Sequence, residues 1–298
     1  MELRVLEYFL AVTREQSISG AAESLHLSQP TLSRQLKDME DELGKQLLIR
    51  GNRRITLTEE GMILRKRAEE ILELVRKAED EISQTDDIVA GDITIGAGET
   101  DGIRFLTKAA QELQKNCPLV RFHIVSGDGI SVIENLDKGL IDFGLIFGKV
   151  DKSKYEYIDV PYRDRWGVLM HKDHPLAKKT SVTVKDLEEV PLIVSRQLLQ
   201  QSELPEFFSV DMDKINIAAT YNLLFNGSLM VEEGMGCAVC FDKIINVSGD
   251  SKLCFRPIEP EITAAMCVVW KKYQVLPKAA ELFLRKVKEN AEWDGTFV

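Results

Sequence analysis

Residues 17–50 read SISGAAESLHLSQPTLSRQLKDMEDELGKQLLIR, a stretch that carries two helix-start signals separated by a turn. Ser19 can cap a short helix whose inward positions are Ala21, Ala22 and Leu25, and the two alanines let a second helix cross closely over it. His26 and Leu27 close the turn. Ser28 offers a hydroxyl to the unpaired amides of the next helix, and Pro30 falls in its first turn, where a missing N–H costs nothing. In that second helix Leu32, Leu36 and Met39 recur at i, i+4 and i+7 and make one apolar face. Gln29, Thr31, Ser33, Arg34 and Lys37 are left on other faces near the N-terminal end. These residue types suit DNA: Gln pairs with adenine, Arg with guanine, and Ser and Thr with phosphate or base edges.

Taken alone, a polar helix of this kind is an ordinary solvated helix of a bundle. The next residues shift that balance. Between Leu43 and Leu57 the chain carries Lys45, Arg50, Arg53 and Arg54 and no acid, with Gly51 and Asn52 marking a turn between two apolar runs. A hairpin with a basic tip follows, suited to tracking phosphates or entering the minor groove.

These residues resemble the winged helix-turn-helix of LysR-type transcriptional regulators. The resemblance rests on the runs 17–27, 28–36, 39–44, 47–50 and 57–61, dense and in order. It implies that Ser28, Gln29, Pro30, Thr31, Ser33 and Arg34 face double-stranded DNA, with Lys37 nearby and Arg50, Arg53 and Arg54 on the wing. Two departures are mild: Leu48 stands where the family usually has Phe, and Met39 where it has Leu.

With 298 residues, 44% of them apolar, the chain can bury a large core and form two or three domains. Its first residues do not make a signal peptide, because Glu2, Arg4 and Glu7 interrupt them, and no segment approaches a membrane span, so a cytoplasmic protein is expected. The net charge of −10 would by itself speak against a nucleic-acid partner. Residues 1–90 hold 13 Lys/Arg against 18 Asp/Glu, a net of −5, so bulk charge does not support DNA binding even there. Only the local basic wing does. Five cysteines, an odd number in apolar settings, fit reduced buried thiols. Cys237 and Cys240 spell C-x-x-C, yet on a strand an offset of three sends them to opposite faces, and no second ligand type stands near at metal spacing. No metal site and no cofactor are expected.

After the wing, Thr58 caps a long helix with Glu59 and Glu60 in its first turn. Leu64, Ala68, Ile71, Val75, Ala78 and Ile82 recur at alternating steps of four and three, a heptad seam that predicts a two-helix coiled coil, with packing on the chain's own domain as the rival. Such a dimer would set two recognition helices on an approximate inverted repeat. The seam fades at residues 85–87, and Ala90, Gly91 and Asp92 mark a boundary.

From residue 93 strands alternate with helices: strand 93–96, helix 103–116, strand 120–125, helix 132–138 and strand 140–147, which predicts a parallel sheet covered on both faces. Gly96 and Gly98 make a tight turn rather than a dinucleotide fingerprint. A second run from 162 to 260 and a return through a strand at 264–270 and a helix at 277–290 predict two α/β lobes with a cleft between them. Residues 142–146, 174–177, 186–187, 191–193 and 233–238 resemble the effector-binding domain of the same LysR family, itself similar to periplasmic solute-binding proteins. Phe241 departs from it, standing where Pro is common.

The fold class is thus α+β and multi-domain: a winged helix-turn-helix at 1–58, a linker and dimerisation helix at 59–90, and a two-lobed effector domain at 91–298. Lobe I takes about 91–161 and 265–298, and lobe II about 162–264. The resemblance places an effector against Glu99, Thr100, Asp101, Ser126, Gly127, Asp128, Phe147, Ser195 and Arg196. Glu99 and Asp101 have two readings, ligand contact or helix capping. The implied partners are promoter DNA, a small-molecule effector, a second copy of the chain, a pair of dimers and RNA polymerase. The rival is a solute-binding protein without DNA function. An enzyme has no support, since no nucleophile–base pairing, metal cluster or phosphate loop stands out.

Overall fold

The computed structural model describes residues 1–51, 54–83, 89–148, 150–188, 190–200 and 215–292. The chain divides into two compact units, residues 1–83 and 84–298.

In the first unit α1 (Leu3–Glu15) buries Val5, Leu6, Phe9 and Val12. Helix α2 (Ile18–Ser24) begins earlier than the sequence suggested. Its cap is Ser17, whose Oγ accepts from Gly20 N at 3.2 Å, and not Ser19. The reason is Ile18, which is buried and has to be inside the first turn to reach the core. His26, in the left-handed region at φ 55°, turns the chain into α3 (Gln29–Leu43). The Ser28 cap forms as expected, its Oγ accepting from Thr31 N at 3.3 Å. Leu32, Leu36 and Met39 are buried. Gly44, at φ 63°, ends the helix.

Strands β1 (Leu48–Arg50) and β2 (Ile55–Leu57) pair antiparallel as the wing, and α4 (Glu59–Ser83) follows. Thr58 caps α4 by accepting from Gly61 N at 3.0 Å, and it donates to Gln46 O at 2.8 Å. Gly61 is required here, because a Cβ would stand 2.2 Å from the Leu47 carbonyl oxygen. The heptad seam divides. Ala68 is fully buried, and Leu64 and Ile71 pack on the same core as α1, so the first half of the seam serves its own unit. Met62, Ile63, Leu74 and Ile82 are exposed. Asn52, Arg53 and residues 85–87 lie outside the described residues.

The second unit is built on one sheet in the order β4-β3-β5-β12-β6-β10-β8-β9. Its first part is β3 (Ala90–Ala97), α5 (Ile103–Asn116), β4 (Leu119–Ser126), α6 (Gly129–Asp137) and β5 (Phe143–Phe147). Strand β3 pairs parallel with β4 and β5, as the alternation required. Helix α6 starts at Gly129, three residues before the expected start, because Asp128 caps it. Then comes β6 (Tyr155–His171), a single 17-residue strand that the sequence reading had divided between two lobes. A 3-10 turn (Pro175–Lys178), β7 (Val182–Thr183), α7 (Val184–Leu187), β8 (Leu192–Ser195), α8 (Arg196–Gln200), β9 (Ile217–Tyr221), α9 (Leu224–Glu232), β10 (Cys237–Phe241), β11 (Leu253–Glu259), β12 (Thr263–Lys271) and α10 (Lys278–Glu292) complete it.

Strand β6 joins the two lobes. Its first half pairs with β12, while Trp166 to Leu169 pair with β10. Around it alternate residues face opposite cores: Val168, Leu192, Val194 and Cys237 on one side, Leu169, Ile193, Ala238 and Cys240 on the other. The two cysteines therefore sit in separate cores. Burial pushes the Cys237 thiol up to about 12 and raises that of Cys240 as well. Lobe I is closed by α5 and α10 against β3 and β5, with the Phe143 and Phe283 rings edge-on at 5.3 Å.

Candidate nucleic-acid interface and ligand cleft

The buried face of α3 determines what the helix can present. With Leu32 and Leu36 wholly buried, Gln29, Pro30, Thr31, Arg34 and Lys37 are exposed, beside an exposed Ser28 and a half-buried Ser33. No acid stands in the first turn of α3, and its cap is a neutral hydroxyl, so the positive end of the helix dipole is open to a phosphate. Arg50 Nη1 donates to Ser33 Oγ at 3.4 Å, which brings the end of β1 beside the helix. Arg34 Nε lies 3.8 Å from Asp38 Oδ2, an exposed pair that costs little to give up. Arg54 is exposed. One buttress escaped the sequence reading: Glu40 Oε1 accepts from Leu47 N at 2.7 Å and Leu48 N at 3.0 Å, which fixes the wing against α3.

In the second unit a cavity of about 500 Å³ opens between the lobes. Of the residues expected there, Glu99, Gly127, Asp128, Phe147 and Ser195 line it. Four do not. Thr100 is buried and donates its hydroxyl to Asp164 while accepting from Gly102 N at 2.9 Å, so it closes the start of α5. Asp101 pairs with Arg104 at 2.6 Å and gives no side-chain cap to α5, whose first residue follows Gly102. Ser126 and Arg196 are exposed away from the cavity wall.

Among the described residues three ties cross the cavity from lobe to lobe. The Glu99 carboxylate accepts from Leu224 N at the start of α9. Gln197 Oε1 accepts from Gly129 N at the start of α6, at 3.0 Å. The Phe147 and Phe241 rings stack at 4.7 Å, and the tilted Trp166 ring lies 4.1 Å from that of Phe241. Asp128 Oδ1 accepts from Ser131 N at 2.8 Å. Behind the turn that carries Glu99, burial raises the Asp164 carboxyl to about 6; the Thr100 hydroxyl opposes this and the Asp101 charge adds to it. Among the described residues Asp164 Oδ1 has no hydrogen-bond partner. Among the described residues no cluster of three His, Cys, Asp or Glu could hold a metal ion, and no helix is long and apolar enough to cross a membrane.

Residues 3–62 match the bacterial regulatory helix-turn-helix proteins of the lysR family, and residues 87–292 match the LysR substrate binding domain. The chain belongs to the LysR family. It is a DNA-binding transcription regulator with a C-terminal effector-binding domain, and an oligomer is consistent with its relatives. The Hca operon transcriptional activator HcaR of Escherichia coli K12 is 30% identical over 97% of this chain and 98% of that protein. The HTH-type regulator BsdA of Bacillus subtilis is 29% identical over 95% and 99%. These relatives are regulators, a class distinct from enzymes. In fold, the crystal structure of CbnR, a LysR family transcriptional regulator, matches with a TM-score of 0.76 at 19% identity, over 98% of this chain and all of that one. CbnR complexed with its target DNA matches with a TM-score of 0.75 at 19% identity, over 97% of this chain and 100% of that one.

For this LysR-family chain, sequence reasoning missed Trp166, Gln197, Tyr221, Leu224 and Phe241 as cavity residues. Phe241 had given a signal, as an aromatic ring at a position where the family commonly has Pro. Gln197 directly follows the expected Ser195 and Arg196 and reaches the cavity from α8, whereas Trp166, Tyr221 and Leu224 are brought there by segments distant in sequence.

Proposed function

We propose that the DNA contacts of this regulator are made by Gln29, Pro30, Thr31, Ser33 and Arg34, with Ser28, Lys37, Arg50, Arg53 and Arg54 on phosphates or the minor groove. The supporting observation is the geometry of α3, whose apolar face is fully buried while its polar N-terminal residues are exposed beside Arg50. Residues 1–58 would read DNA, 59–90 join two copies, and 91–298 bind an effector. Because Ala68 is consumed within its own unit, the apolar residues left among the described ones to meet a second copy include Met62, Ile63, Leu74, Val75, Ala78 and Ile82. Two recognition helices then require an approximate inverted repeat, and two dimers make a tetramer. An effector seated in the cleft acts by favouring one arrangement of the three ties between the lobes, which shifts the population of the assembly. RNA polymerase is the partner that would read out that shift. The protein works in the cytoplasm and catalyses no reaction.

A genome-wide footprint of the full-length protein tests this reading. The expected result is a small set of sites sharing an approximate inverted repeat, while footprints without a shared repeat would overturn it.

A further inference from the structure

We propose that the ligand of the cleft is an organic cation, a protonated amine carried on an aromatic or apolar body. The inference rests on the cleft being the effector site and adds the chemical class of the effector.

The first ground is what occupies the helix starts around the cavity. A helix N-terminus ordinarily welcomes a ligand carboxylate or phosphate. Here the starts of α9 and α6 are already capped by the chain's own acids, Leu224 N by Glu99 and Ser131 N by Asp128, and Gly129 N is taken by Gln197. An anion entering the cavity would displace these bonds and lie beside two carboxylates in a partly desolvated site, where like charges repel more strongly than in water.

The second ground is the acceptor capacity left over. A carboxylate has two oxygens with about four acceptor positions. Glu99 uses Oε2 for Leu224, and Asp128 uses Oδ1 for Ser131. Glu99 Oε1 and Asp128 Oδ2 can therefore accept from an ammonium group without releasing either helix. Both side chains are half-buried on the cavity wall, so such a pair is worth more than one on an open surface.

The third ground is the aromatic wall. The Trp166 and Phe147 rings both lie close to Phe241, at 4.1 and 4.7 Å between centroids. Ring faces attract a cation within about 6 Å and stack with a flat apolar body. At about 500 Å³ the cavity has the volume of a small-molecule site.

The test is isothermal titration of the full-length protein with three probes of one shape: 2-phenylethylamine, 2-phenylethanol and phenylacetate. The amine is expected to bind most tightly and phenylacetate least. In Glu99→Gln, which keeps an acceptor for Leu224 N, the amine should lose roughly tenfold in affinity while the alcohol changes little. Trp166→Leu should weaken both. Phenylacetate binding as tightly as the amine, with Glu99→Gln lowering neither, overturns the cationic class and leaves the effector cleft standing. Amine binding that is unchanged in both variants also overturns the inference, because the amine then sits elsewhere. If none of the three binds at millimolar concentration, the inference of an amine on an aromatic body is overturned, while the cleft reading stands on its own test.

Discussion

The two binding regions use the same element, the start of a helix, in opposite ways. At α3 the first turn holds no acid and is capped by the Ser28 hydroxyl, so its positive end faces outward without a counter-charge. In the cleft the starts of α6 and α9 are capped by Asp128 and Glu99. A hydroxyl cap satisfies the orphan amides and leaves the dipole for a phosphate, whereas a carboxylate cap satisfies both. The difference explains how a chain of net charge −10 can approach DNA: the acids are kept away from one helix start and placed at others.

The comparison depends first on α3 being held by its buried face. Leu36 is wholly buried, so Leu36→Ala should destabilise the N-terminal unit by about 3 kcal/mol. Thermal unfolding followed by circular dichroism would show it, and an unchanged midpoint would mean that the face does not anchor the helix.

A smaller effect is expected at Asp164, the acid behind the cleft. Its carboxyl is raised from an ordinary 3.8 to about 6 by burial, against the Thr100 hydroxyl and with the Asp101 charge, while Tyr162 and Lys243 also face it and lower it. Between about pH 4 and 6 the folded state holds a proton that the unfolded state has lost, so stability falls as pH rises through this window and the deficit is complete above it. Asp164→Asn, which does not titrate, should therefore flatten the stability between pH 4 and 6. Denaturant melts at a series of pH values check this, and a variant with the wild-type slope would contradict it.

Ser28→Asp converts the open helix start into the closed kind. Asp caps as well as Ser, so folding should be nearly unchanged, while DNA affinity should fall by roughly tenfold through repulsion of phosphate. Fluorescence anisotropy with a labelled duplex measures it. Undiminished affinity would show that the start of α3 does not meet the backbone.

The N-terminal region was legible because its signals are local. Ser28, Pro30 and the Leu32, Leu36, Met39 spacing lie within a dozen residues, and Gly61 and Thr58 fix the next helix within three. What failed there was a competition between two serines, decided by the need to bury Ile18. The cleft was legible only in outline. Its turns after β3 and β4 are placed by the sequence, but the lobe boundary at 161/162 falls inside β6, because a strand that changes partners midway gives no mark of it in sequence. The resemblance puts Thr100 against a ligand, and nothing local in the sequence shows Asp164, 64 residues away, as its partner. Arg196 was expected to face the cavity, and the short α8 turns Gln197 inward instead.

The role of α3 is tested most directly by titrating wild type and Arg34→Ala with two duplexes, one carrying a footprinted site and one with its bases scrambled. Because Arg34 is exposed and, among the described residues, pairs with the exposed Asp38, the variant should fold normally. It should lose roughly tenfold or more on the true site and much less on the scrambled one, which removes sequence preference. Equal losses on both duplexes, or none, would contradict a base-reading helix beginning at Gln29.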